Sequence, residues 1–475
     1  MRTLIRRLGK IGSVVAVAAL LGCFACTGSP SLEKDARDTL RRVTAFYHDS
    51  VAVRGGFLWR YAADLSDQWG EVHAKRSEVW VQPPGTPRVG RVFLELWRTT
   101  GDNTYLEYAK NAADALIEGQ LASGGWDYRI DFDAEGRTRW YYRVDSLAGE
   151  SRNGRRSIST FDDNTTQEAT RLLIEVDAVI GFSDERIHDA ALAALALHMD
   201  AQFPNGAWPQ RYPLSSGYGG YYTFNDNTIN DCIDVMLLAW ETYEDESYLA
   251  SVLAGGDFII LSQIDPPQAG WAQQYDHELS PAWARAFEPR AVCSSVTLRN
   301  IATLIDLYTR TNESRFLDPI PAAMEWLNGS VVEVPEEFFT IRNIAPYERG
   351  WARFYEIGTN QPLFGDRDGE VHYTFAEISE ERKRGYSWYR PATTNVFDKY
   401  ARARELGAAA YREEQRAELS ADAKAERITS LEPRVREIIA SLDERGCWVE
   451  GDEIRMRTFV SNVNVLNEYL RLLQD

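Results

Sequence analysis

Residues 161–180 read FDDNTTQEATRLLIEVDAVI, and residues 224–243 read FNDNTINDCIDVMLLAWETY. Each opens Phe-(Asp/Asn)-Asp-Asn-Thr and continues with apolar residues at helical spacing. The Asp, Asn and Thr clusters are the residue types that cap helix N-termini, so both stretches predict helices with capped starts. Other segments recur between them. Residues 100–130, 182–213 and 243–276 each run from a polar turn through an apolar-periodic helix to Gln, then Gly and Trp, then polar-aromatic residues. Residues 311–330 read as a weaker fourth copy. A helix–loop–helix period of roughly 60–80 residues predicts stacked helical hairpins closing into a toroid. The fold class is therefore all-α (mainly α-helical). Strand signals are few: FLWRYA (57–62) and WVQPPG (80–85) are short and limited by Pro.

The bulk composition fits a folded chain of 475 residues, 44% apolar and 12% aromatic. A formal charge of −19 argues against nucleic acid and anionic membrane surfaces as general partners. At the N-terminus, Arg2, Arg6, Arg7 and Lys10 precede the apolar run IGSVVAVAALLG and then Cys23. This is the pattern of a lipoprotein-type signal peptide over 1–22 with lipidation on Cys23, ordinary secretion being the alternative. The expected organisation is a linker over 23–40 and a single catalytic toroid over 41–475, with a charged helical insertion at 410–446. An exported monomer with a lipid anchor follows, periplasmic or at the cell surface. Cys232, Cys293 and Cys447 are scattered, with no disulfide framework and no zinc spacing.

Equivalent helices of a hairpin repeat start on the same rim. Asp163 and Asp226 hold equivalent positions, so they are expected to lie close together. Two capping aspartates would explain them, and so would a site. The stretch WPQRYPLSSGYGGYYTFND (208–226) favours the site: it is too aromatic for a solvated linker and too Gly-rich for a core helix. Trp208, Tyr212 and Tyr218 are candidate walls of a carbohydrate groove, with loop packing as the alternative. Paired carboxylates on an α/α toroid also fit an inverting glycoside hydrolase. QLASGGW and QFPNGAW match the QxxxGxW pattern of triterpene cyclases. No DxDD acid motif accompanies them, which makes them structural.

Four stretches in order carry a more specific resemblance: FDDNTTQEATRLL (161–173), NGAWPQRYP with YYTFNDNTIN (205–230), GWAQQYDHELSPAWARAFEP (270–289) and WARFYEIGTNQPLFGDRDG (351–369). Together they resemble the family 10 polysaccharide lyases, pectate lyases with an incomplete (α/α) toroid, over about residues 40–400. The resemblance implies polygalacturonate or pectin as substrate, Ca²⁺ as cofactor and β-elimination to 4,5-unsaturated oligogalacturonides. By the same resemblance, Asp163 and Asn164 match the acidic-amide pair of the catalytic cleft. Asp226 matches a carboxylate at the calcium site, with Asp163 a second ligand. Arg285 matches the arginine that takes the sugar C5 proton, and Arg353 and Arg367 match arginines that bind substrate carboxylates. A hard cation suits this chemistry, because the C5 proton becomes removable only when the adjoining carboxylate is neutralised. Neighbouring positive charge is expected to depress the Arg285 pKa, giving an alkaline optimum. Three alternatives stand beside this: Arg285 ion-pairs Glu288, Arg353 and Arg367 form structural salt bridges, or the chain is a non-catalytic, lipid-anchored pectin-binding protein.

Overall fold

The computed structural model describes residues 30–474. The expected signal peptide, Cys23 and the start of the linker lie outside them. Four hairpins follow one another: Thr86–Thr100 with Asn103–Gly119, Thr165–Val179 with Glu185–Ala201, Thr228–Tyr243 with Glu246–Leu261, and Ser294–Thr311 with Ile320–Gly329. The first helix of each hairpin packs against the first helix of the next. These form the inner layer of an α/α toroid, and the second helices form the outer layer. The sequence dictates the layering. Thr165–Ala169 is buried on every side of its helix, as an inner helix must be, whereas Glu185–Ala201 buries one stripe including Ile187, Ala191, Ala194 and Leu195. The terminal helix Met456–Gln474 returns to pack on Thr86–Thr100, bringing the arc round.

The caps fall on the outer helices. The carboxylates of Asp102, Asp184 and Asp245 accept from the backbone N–H groups of Thr104, Arg186 and Ser247 at 3.0, 3.0 and 2.8 Å. The inner helices at 165 and 228 have no such cap, contrary to the expectation for their Asp/Asn/Thr clusters. Those clusters take a different backbone course, described below.

The recurring Gln and Trp staple each hairpin. Trp126, Trp208 and Trp271 donate their indole N–H to the carbonyls of Leu116, His198 and Ile259, in the last turns of the preceding outer helices, at 2.8, 2.8 and 2.7 Å. Helix C-termini leave such carbonyls without partners, and the tryptophans satisfy them inside the core. Gln120, Gln202 and Gln263 each donate both to their own loop and to the next outer helix region: Gly124 and Ala190, Gly206 and Ser251, Ala269 and Pro319. Trp351 does the same to Leu327, so the weaker fourth copy is a full repeat whose Trp is displaced by an inserted loop.

One boundary differs from expectation. Residues 30–40 are not linker: Pro30–Phe46 is a helix whose Leu32, Ala36, Leu40 and Val43 are buried, and it packs on the terminal helix. Residues 410–446 are helical, as expected, and packed into the fold. Ala421–Ala440 buries Ile428, Leu431, Val435 and Ile438, pairs with Met456–Gln474, and ends under Trp448, which donates to the Ile438 carbonyl at 3.0 Å. It is another stapled hairpin with a highly charged outer face.

Short strands shape the rim. Arg349–Ala352 lies between Val332–Glu333 and Tyr389–Pro391, and Phe354–Tyr355 lies between Val292–Cys293 and Pro362–Gly365. Cys232, Cys293 and Cys447 are buried free thiols. Among the described residues no helix is long and apolar enough to cross a membrane.

Candidate active site

Asp163 and Asn164 have φ of 50° and 58°, and Asp226 and Asn227 have φ of 48° and 62°. The left-handed region costs a non-Gly residue about 1–2 kcal/mol, and Asp and Asn tolerate it best. Two consecutive residues in this region, repeated in two turns, explain why the clusters do not cap their helices. The backbone is spent instead on turning the aspartates toward the cleft. The turns are fixed from behind. Phe161 and Phe224 donate their N–H to Gln210 and Gln273 carbonyls, both at 2.8 Å. The Phe161 carbonyl accepts from Gln167 Nε2 at 2.8 Å and from Thr228 Oγ1 at 3.3 Å, so each turn is tied to the other.

The result is a triad of carboxylates. Oxygens of Asp162, Asp163 and Asp226 lie within 4.8 Å of one another. Asp162 is the member not anticipated from the sequence, although the Asp-Asp doublet contains it. Gln82 Nε2 donates to Asp163 Oδ2 at 2.7 Å and is itself oriented by the Trp80 indole, which donates to Gln82 Oε1 at 3.1 Å. Tyr128 Oη donates to Asp162 Oδ2 at 2.7 Å, and Arg211 adjoins both. Burial and then the charges of Asp226 and Asp162 push Asp163 up to about 7. Asp163 opens to the cleft, yet the packed walls around it strip away solvating water. Burial and the Asp162 charge raise Asp226 to about 6, against the pull of Arg285 and Arg353.

Arg285 sits beside the triad. Its Nη2 is 3.7 Å from Asp226 Oδ2 and donates to Glu288 Oε1 at 2.6 Å, while Nε donates to Glu288 Oε2 at 2.8 Å. Glu288 is buried and also accepts from Tyr386 Oη at 2.9 Å. The ion pair with Glu288 left open by the sequence is thus present, together with the approach to Asp226. Burial would lower the Arg285 pKa, but the hydrogen bonds and charge of Glu288 outweigh it and hold the pKa above the ordinary value. The expected depression is not produced by the protein groups themselves.

Phe287 gathers the remaining cations. The guanidinium carbons of Arg382, Arg367 and Arg285 lie 4.2, 5.0 and 5.1 Å from its ring centroid. Gly365 permits this approach, since a Cβ there would come within 2.5 Å of the Phe287 carbonyl oxygen. Arg367 reaches the site's edge but is engaged by Glu381 at 3.3 Å. Arg353 lies over the Tyr386 ring at 4.1 Å and lines a cavity of about 410 Å³ with Asp226, Asn227, Ser295 and Arg390.

The aromatic loop divides. Trp208 is fully buried in the core and donates its indole N–H to the His198 carbonyl, so it does not wall a groove. A ring serving as a helix staple has no face left for a sugar. Tyr212 is half-buried in the strand Arg211–Tyr212, paired with Ser159–Thr160 just before the Asp162 turn. Tyr218 is 39% exposed, on the turn Gly217–Gly220. Neither makes a hydrogen bond to the triad.

Residues 137–397, more than half of the chain, match the family model described as pectic acid lyase. Among solved structures, a mutant family 10 polysaccharide lyase from Cellvibrio cellulosa in complex with trigalacturonic acid is 23% identical, with a TM-score of 0.50, over 68% of this chain and 98% of that one. The family 10 polysaccharide lyase from the same organism aligns at 23% identity and TM-score 0.50, over 66% and 95%. A D-mannose isomerase aligns more loosely, at 12% identity and TM-score 0.47 over 93% of this chain and 98% of that one. No curated protein matches. The lyase structures agree with the toroidal fold, and the family match spans the Arg285, Arg353 and Arg367 segments together with both left-handed turns. The chain belongs to the pectic acid lyase family.

Proposed function

We propose that the chain cleaves polygalacturonate by calcium-assisted β-elimination, with Arg285 as the group that removes the C5 proton. The observation that carries this reading is the convergence of three carboxylates beside a cleft arginine, Arg285, on a chain of this family. The donor set fits calcium, because every candidate ligand is an oxygen, the donor type this hard cation takes. Asp162 Oδ1 and Asn164 Oδ1 are buried acceptors with no hydrogen-bond partner, as expected of atoms awaiting a cation. Asp162, Asp163 and Asp226 would hold it, with Asn164 adding an amide oxygen. Bound calcium would supply Lewis acidity that neutralises the substrate carboxylate and acidifies C5.

The chain's own residues do the rest. Glu288 occupies Nε and Nη2 of Arg285 and fixes the plane of the guanidinium. Nη1 makes no hydrogen bond among the described residues and is the nitrogen assigned to the proton transfer. The raised pKa of the resting guanidinium makes its neutral form scarce, so the rate is expected to climb with pH well into the alkaline range. Arg353 is assigned to a substrate carboxylate, and Arg367 joins it when substrate displaces Glu381.

Ultraviolet absorbance of unsaturated product from polygalacturonate, with calcium and with chelator, tests the reading. A calcium-dependent rise supports it. New reducing ends without that absorbance would replace it with hydrolysis. The inverting hydrolase is disfavoured in advance: its carboxylates stand about 6.5–9.5 Å apart, whereas these lie within 4.8 Å. Arg285→Lys is expected to lower kcat at least ~100-fold, the scale of a lost proton-transfer group, while polygalacturonate binding persists. A fully active variant would remove Arg285 from the proton transfer.

A further inference from the structure

Arg390 has no counterpart among the residues singled out from the sequence. It lies in the strand Tyr389–Pro391, paired antiparallel with Arg349–Ala352 so that Arg390 faces Trp351. One step further, Arg353 donates its N–H to the Trp388 carbonyl at 2.7 Å, which continues the ladder. Side chains alternate along a strand, so Arg353 shares a face with Trp351 and therefore with Arg390. Both arginines line the cavity of about 410 Å³ that Asp226 also lines.

Most arginines around this site are neutralised. Arg285 has Glu288, Arg299 has Asp231 and Asp234, and Arg367 and Arg382 share Glu381. Arg353 and Arg390 differ. Among the described residues neither forms an ion pair or a side-chain hydrogen bond, and Arg353 Nε is buried without a partner. The two guanidiniums share one wall. Burial would lower the Arg353 pKa, but the Tyr386, Cys293, Asp226 and Glu288 groups hold it above its ordinary value. The Arg390 pKa is lowered, by burial first and, against the opposing pull of Cys293, by the Arg353 charge. Such a pair is satisfied by an anion entering from the cavity. A planar carboxylate matches the forked geometry of guanidinium donors.

We propose that Arg390 and Arg353 form a carboxylate subsite adjoining the acidic triad, and that Arg390 makes the chain select a de-esterified uronic unit there. The subsite rests on the pectate lyase reading for its ligand, because the cavity is continuous with Asp226. A free carboxylate neutralises both cations, whereas a methyl ester leaves them unpaired, so esterification at this unit is penalised. Arg390 is a specificity-determining residue and takes no proton.

The test compares wild type, Arg390→Gln and Arg390→Lys on polygalacturonate and on the same polymer partially methyl-esterified. KM is followed by new reducing ends, which reports cleavage whether or not the product is unsaturated. Arg390→Gln is expected to raise KM on polygalacturonate on the order of tenfold, the scale of one lost charge-assisted interaction, with kcat within about threefold. Preference for the unesterified polymer should shrink by a similar factor. Arg390→Lys should recover part of both, and thermal melts should place all three proteins close together. An unchanged KM, or an equal loss on both polymers, would overturn the subsite. The lyase reading fails separately, when wild type yields no ultraviolet-absorbing product. A wild type that cleaves nothing would leave retention in a polygalacturonate-containing gel as the readout, where equal retention of wild type and Arg390→Gln again overturns the proposal.

Discussion

Asp163 and Asp226 are held in conformations that few side chains accept, and they face a third carboxylate across a few ångströms. That crowding has a pH signature. Both folded-state pKa values, about 7 and about 6, exceed the ordinary aspartate value of 3.8. The folded chain therefore retains protons that the unfolded chain releases, and stability contributed at low pH is lost as pH rises from about 4 to about 7. In chelator, melting temperature should fall across that window, and Asp163→Asn should flatten the fall and melt higher at pH 8. A melt series showing a steeper fall for the variant would contradict the assignment. Glu288 acts in the opposite sense on Arg285, raising its pKa through two hydrogen bonds. Glu288→Gln should move the alkaline limb of the kcat–pH profile to lower pH, at the expense of a looser guanidinium. A limb that stays in place would mean that Arg285 is not the titrating group.

At the scale of elements, the stapled hairpin is the unit. Trp208→Phe removes the indole N–H that satisfies the His198 carbonyl in the core. The expected loss is about 1–3 kcal/mol, measured by denaturant unfolding, with KM unchanged because the ring does not line the cleft. A variant of wild-type stability with a raised KM would return Trp208 to the groove. The misplacement of Trp208 is instructive. An aromatic loop does not reveal which way its rings point, but the Gln…Gly…Trp recurrence at Trp126, Trp208 and Trp271 marked them as parts of the repeat. The toroid and the meeting of Asp163 with Asp226 were legible for the same reason, since repetition implies equivalent position. Glu288, Tyr386 and Arg390 were not legible as a group. They come from rim segments without repeat counterparts, joined by strand pairings such as Trp351 with Arg390 that no local pattern announces. The left-handed turns also escaped notice, because Asp-Asn-Thr serves a cap and such a turn equally well.

For the whole molecule, charge is the organising problem. On the proposed function, an acidic chain of net −19 must receive a polymer of acidic sugars. Arg285, Arg353, Arg367, Arg382 and Arg390 on one rim provide cationic ground locally, and a cation at the triad would complete it. Calcium bound only by the folded state should stabilise the molecule by linkage, about 2.7 kcal/mol at 100 times its Kd. Melts in calcium and in chelator check this, and the increment should vanish in Asp226→Ala. An increment that persisted there would place the calcium elsewhere.

The two left-handed turns come from successive copies of one hairpin and are tied through the Phe161 carbonyl and the Thr228 hydroxyl. Each copy carries half of a seat, and neither half is a site alone. The carboxylate seat is therefore anchored in the spacing of the inner ring, whereas Arg285 reaches it from a rim loop. Loops can be exchanged to alter which polymer is gripped while that seat keeps its shape. A circular permutation opened between Arg416 and Ala421 would leave the halves in register, whereas one opened between Val179 and Glu185 would part them along the chain and make the seat wait on long-range assembly.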